Sequence, residues 1–223
     1  TIPGNTRTNN SDLARSYDLA NNEPNFVEWT KVVGGFESNN PVSYPFGNLA
    51  VNPITSNPNT TVNAARWGME SQNTGSGGKG AYYMAGMAYW GNTQDIRGKT
   101  WTAEPSKQRP GMRTKTYVID VNEGSADSVA SARRNTQFFL TAKYGGFTDK
   151  SGKGNPYLNA SGQLDNNNWQ KSADPGEAKT YFLASSAKAV LTGLNEIFDS
   201  IAAEGNSIAN GSISTTSFTT GGY

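Results

Sequence analysis

After residue 80 the hydrophobic period of this chain switches repeatedly between that of a helix and that of a strand. That order limits the fold more than any other feature. Ala81 to Trp90 (AYYMAGMAYW) is apolar on every side, which predicts a buried helix rather than an amphipathic one. Its Ala85, Gly86 and Ala88 would let a neighbouring element approach closely. Tyr82, Tyr83, Tyr89 and Trp90 read as core at this spacing, not as an aromatic platform. Thr114 to Val121 (TKTYVIDV) is β-branched and alternating, the best strand in the chain. Ser125 to Tyr144 reads as a helix stopped by Gly145-Gly146. Thr180 to Leu183 is a short strand, and Ser185 or Ser186 then caps a helix. Ala187, Val190, Leu191, Leu194, Ile197, Phe198 and Ile201 lie on one face of it, and Gly205 is its expected end. Helix, strand, helix, strand, helix predicts an α/β fold with a mostly parallel sheet. Two parallel strands do not stand alone. Residues 80–205 therefore read as the C-terminal part of an α/β domain whose earlier strands lie elsewhere.

Residues 1–79 carry a different pattern. Pro3-Gly4, Asn39-Asn40-Pro41, Asn52-Pro53 and Asn57-Pro58 are turn signals. Short apolar pieces lie between them, such as Phe26-Val27 with Trp29, and Val32-Val33. One helix is expected from about Asn59 to Glu70, before the flexible joint Thr74-Gly75-Ser76-Gly77-Gly78. The region reads as a loop-rich insertion on the α/β scaffold, or as a surface supported by something outside this chain. The opening Thr1-Ile2-Pro3-Gly4-Asn5-Thr6 reads as a chain entered mid-sequence, and residues 206–223 as a Ser/Thr/Gly-rich linker.

Chemistry is narrowed by two zeros: the chain has no histidine and no cysteine. Ser-His-Asp and Cys-His nucleophile systems are therefore excluded, as are disulfides. Zinc, haem and iron–sulfur groups would lack their usual ligands. Oxygen-ligated Ca²⁺ or Mg²⁺ stays open. A net charge of +1 with mixed signs gives no basic field for nucleic acid. No apolar run reaches the roughly 18 residues of a membrane span. Charged residues are only 17% of the chain, their place taken by Asn, Ser, Thr and Gly, a balance common among exported bacterial surface proteins.

The candidate sites are sparse. Asp120, Asn122, Glu123, Ser125 and Asp127 cluster where the strong strand ends, and Asp120, Asn122 and Asp127 form a weak Ca²⁺ candidate. Gly124 stands where an EF-hand-like loop wants an oxygen ligand, so a strand-end turn is the simpler reading. Asp165-Asn166-Asn167-Asn168 with Trp169 could suit a sugar or peptide, but a polar loop is the simpler reading. No catalytic residue stands out, and the chain reads as non-enzymatic.

Several segments resemble the PilY/PilC family of type IV pilus tip proteins. They are Tyr82-Tyr83-Met84-Ala85-Gly86-Met87-Ala88-Tyr89 with Asn92-Thr93-Gln94-Asp95-Ile96-Arg97, Thr116-Tyr117-Val118-Ile119-Asp120-Val121, and Ala142-Lys143-Tyr144-Gly145-Gly146-Phe147. The segment from Tyr181 to Ile201 is similar to the family's closing strand and helix, and Pro3-Gly4-Asn5-Thr6 is weakly similar to another of its motifs. The resemblance implies that residues 80–205 are the C-terminal part of a von Willebrand factor A-like (Rossmann-like) domain, followed by a β-propeller. It implies a pilus tip or biogenesis protein, exported to the cell surface and working in assembly, adhesion and twitching motility. Its partners would be minor pilins, other pilus subunits, and a host or abiotic surface. The family's metal loops have no counterpart here, so the resemblance assigns Ca²⁺ or Mg²⁺ only to the parent protein. Two other readings fit the composition: a bacterial surface carbohydrate-binding or polysaccharide-active module, and a structural subunit of a surface filament.

Overall fold

The structure, a computed structural model, describes residues 26–37, 42–43, 50–51, 70–73, 79–98, 102–121, 130–134 and 136–212. Among them the elements run α1 (Phe26–Glu37), β1 (Val42–Ser43), β2 (Ala50–Val51), β3 (Glu70–Asn73), β4 (Lys79–Ala81), α2 (Tyr83–Thr93) and β5 (Val118–Val121). Then follow α3 (Ala130–Arg133), α4 (Gln137–Gly146), β6 (Tyr181–Ala184) and α5 (Ala187–Ser212). The expected helix from Asn59 lies outside the described residues, save that Glu70 opens β3.

Mixed helix and strand around a small parallel sheet is the architecture, compatible with the α/β order read from the sequence. β5 and β6 pair in parallel, with Val118 opposite Tyr181 and Val121 opposite Ala184. β1–β2 and β3–β4 are short antiparallel pairs.

The core is built by three helices. α2 packs between α1 and α4. From α1 come Trp29, Val32, Val33 and Phe36, at steps of 3, 1 and 3, all buried. Residues 26–37 were read as short apolar pieces within a loop-rich region, so this helix corrects the reading. Tyr89 of α2 is fully buried and meets Trp29 and Phe36 at ring separations of 6.0 Å. Tyr82 and Tyr89 are core residues, as their spacing predicts.

Three helix boundaries differ from expectation. The helix foreseen over 125–144 is broken: α3 ends at Arg133 and α4 begins at Gln137. Thr136 takes an extended conformation, and its Oγ1 accepts the Phe139 N–H at 3.2 Å. A side-chain cap of this kind is worth about 1 kcal/mol and restarts the helix. Residues 125–129 lie outside the described residues. Gly145 and Gly146 do not stop α4, which runs through both. They are glycines because of close approach: a Cβ on Gly145 would stand 2.7 Å from the Cβ atoms of Ala88 and Thr116. Gly205 likewise does not end α5, which continues to Ser212. A glycine stops a helix where the chain turns left-handed; otherwise it costs only about 1 kcal/mol relative to alanine.

α5 lies on the sheet by a narrow edge. A Cβ on Gly193 would sit 3.3 Å from Phe182 Cβ, and Ser200 Oγ is 3.2 Å from Tyr117 Oη. Glu204 pairs with Lys115. The apolar stripe lies about a third of a turn away at 100° per residue. Leu191 and Phe198 are each 63% exposed, Ile201 49% and Leu194 37%. The helix is where the period predicts it, but its apolar face is largely uncovered by the described residues.

Candidate functional site

Glu37 at the end of α1 and Lys143 in the last turn of α4 are 106 residues apart in sequence and meet inside the protein. Their Nζ–Oε1 distance is 2.6 Å, and both side chains are 1% exposed. The helices deliver them for ordinary reasons. Glu37 follows Phe36, whose ring packs 6.1 Å from Tyr144 and 6.0 Å from Tyr157. Lys143 precedes Tyr144, which is fully buried against Tyr89.

A burial this deep demands partners for every polar atom. Glu37 Oε1 accepts the Tyr144 hydroxyl at 2.7 Å and the Tyr157 hydroxyl at 3.3 Å. The two hydroxyls are themselves 3.0 Å apart. The ammonium lies over Trp169 at 4.3 Å from the ring centroid, with Tyr157 at 5.1 Å and Tyr144 at 5.4 Å. Cation–π attraction is strongest where water is excluded, as here. Loss of hydration nonetheless pulls the Lys143 pKa below its usual value. Glu37 opposes that shift and Arg134 adds to it.

Tyr144 is displaced the other way. Burial, then the nearby Glu37 charge and Tyr157, hold its phenol neutral well above the ordinary 10.0. A group raised on folding contributes stability that is complete below its unfolded pKa and lost as pH rises through the folded one. Alkaline unfolding is therefore expected to start above about pH 10. Tyrosinate absorbance, followed alongside circular dichroism, should show Tyr144 ionising only as the helices melt. Titration of all ten tyrosines in a still-helical protein would refute this.

The sites foreseen from sequence fall elsewhere. Asp120 is buried in β5, and its Oδ2 accepts the Tyr181 hydroxyl at 2.6 Å across the ladder. Asn122, Glu123, Ser125 and Asp127 lie outside the described residues. Among the described residues no group of three or more acidic side chains gathers as a metal site would. The Asp165–Trp169 stretch is a folded turn. Asp165 accepts the Asn167 N–H at 3.0 Å, and Trp169 is 1% exposed, walling the Lys143 pocket instead of facing solvent.

A surface groove of about 420 Å³ runs beside the start of α5, lined by Lys171, Phe182, Leu183, Ser186, Thr192 and Glu196 among others. Lys171 Nζ lies 4.8 Å over the Phe182 ring, and Ser186 Oγ caps the helix through the Ala189 N–H. None of the described helices is long and apolar enough to cross a membrane. No protein family, characterised protein or solved structure matches the chain.

Proposed function

We propose that this chain is part of a non-enzymatic type IV pilus tip protein of the PilY/PilC kind, its core the C-terminal part of a von Willebrand factor A-like domain. One observation carries the reading. The segments that resemble the family converge at Gly145. A Cβ there would collide with Ala88 of one segment and Thr116 of another, and the Gly145 carbonyl accepts the Thr116 N–H at 2.8 Å. Asn92 of the first segment donates to the Phe147 carbonyl at 2.9 Å. Three short resemblances thus coincide with the residues on which the scaffold closes. Resemblances of that kind would reflect a common scaffold rather than a common surface.

Function would then be binding, performed by what the scaffold displays. The exposed stripe of Leu191, Leu194, Phe198 and Ile201 is the surface we assign to a protein partner in pilus assembly, a minor pilin or another pilus subunit. The stripe also suits self-association, which keeps the filament-subunit reading. The carbohydrate reading loses its best platform, because the Trp169 ring is buried.

Genetics separates them. A producing strain carrying Leu191→Asp with Phe198→Asp is expected to lose surface pili and twitching. The purified variant should keep its helical spectrum, since both side chains are exposed. Normal piliation in that strain would sink the proposal. Fibres formed by the purified wild-type chain would favour the filament subunit.

A further inference from the structure

We propose that Lys143 and Glu37 condense within the folded protein to an amide, a covalent cross-link between α1 and α4. The reacting atoms are in place. Nζ is 2.6 Å from Oε1, so the carboxyl carbon is one C–O bond beyond it. Holding an amine and a carboxyl in such contact replaces a bimolecular encounter by an intramolecular one, worth orders of magnitude in rate.

Three features favour condensation over a lasting ion pair. Burial draws the Lys143 pKa down, toward the neutral amine that is the nucleophile. The Tyr144 and Tyr157 hydroxyls both point at Oε1. That oxygen takes the negative charge when nitrogen adds to the carboxyl carbon, so the two phenols serve as an oxyanion hole. Finally Trp169, Tyr144 and Tyr157 wall the site, each at most 2% exposed or fully buried, and keep out the water that would reverse the reaction.

The step balances without a co-reactant. Ammonium and carboxylate together carry three protons. The Nζ–Cδ bond forms and the Cδ–Oε2 bond breaks. Two protons leave with Oε2 as water, and one stays on the amide nitrogen. Nothing is oxidised or reduced. The bond would join positions 106 residues apart in a chain that has no cysteine to form a disulfide. The inference does not depend on the pilus reading.

The full chain is purified, denatured and weighed. Its mass should fall below the sequence mass by one water, about 18 Da. A protease digest should release a branched peptide joining the Glu37 segment to the Lys143 segment. Lys143→Arg, which keeps the charge but forms no such amide, should have its full sequence mass. Wild-type protein at full mass overturns the proposal. So does a loss of ammonia (about 17 Da) or a cross-link mapped to any other pair. Should the arginine variant not fold, the wild-type peptide map decides alone.

Discussion

Lys143→Met is expected to destabilise the protein by about 3–5 kcal/mol at neutral pH, the cost of leaving a buried charge without its partner. Methionine has nearly the length and volume of the lysine stem, so packing against Trp169 survives and the loss is electrostatic. What remains is Glu37, 1% exposed, without the Lys143 ammonium but still accepting the Tyr144 and Tyr157 hydroxyls. A buried carboxylate that loses its ammonium favours the protonated form more than before, so its folded pKa rises relative to wild type. A raised carboxyl pKa gives stability that is present below the unfolded value, about 4.3, and lost as pH climbs through the folded value. The deficit of the variant should accordingly be larger at pH 8 than at pH 5. Urea midpoints of wild type and variant at the two pH values measure it. The double variant Glu37→Gln with Lys143→Met should regain the part owed to the carboxylate charge. Whatever deficit persists then reports what Lys143 itself contributes, its contacts with Trp169, Tyr157 and Tyr144 included. Equal midpoints for wild type and Lys143→Met would show that the pair contributes nothing.

This pair also marks where sequence reasoning stops. α2, β5, β6 and the start of α5 were legible because each carries its own period or composition within one short window. α1 was equally periodic, with Trp29, Val32, Val33 and Phe36 on one face. The turn signals of residues 1–79, with Asn39-Asn40-Pro41 just after it, drew the reading toward loop. Counting the 3-1-3 steps would have found it. Glu37 and Lys143 had no such signal. A lysine between Ala142 and Tyr144 looks like any surface lysine, and its burial is created by a helix 106 residues away. Gly145-Gly146 was read by the local rule for helix ends, whereas the long-range contacts with Ala88, Thr116 and Thr180 are what require glycine there. The stripe on α5 was legible as a helix face, but a period says which side is apolar and not whether anything covers it.

Gly86→Ala is expected to cost about 3 kcal/mol, the upper end of the usual range for overpacking, and for a definite reason. An added Cβ would stand 2.5 Å from the Thr30 nitrogen and 2.8 Å from its Cα. Those are backbone atoms of α1, so no rotamer change relieves the clash and the helix itself must retreat. Thr30 is fully buried, and α1 is held on the same side by Trp29 and Phe36 against Tyr89. Retreat therefore strips the aromatic cluster and draws Glu37 away from Lys143. In a chain of this size the melting temperature should drop by roughly 2–4 °C for each kcal/mol lost. Gly91→Ala is the internal control on the same helix. Its Cβ would stand 3.3 Å from the Thr114 Cβ and no nearer than 4.0 Å to the Thr114 carbonyl oxygen, and the loss of a helical glycine is worth up to about 1 kcal/mol in its favour. Gly91→Ala should thus melt within a few degrees of wild type while Gly86→Ala melts far below it. If the two melted alike, glycine at 86 would be serving helix flexibility and not the contact between α1 and α2.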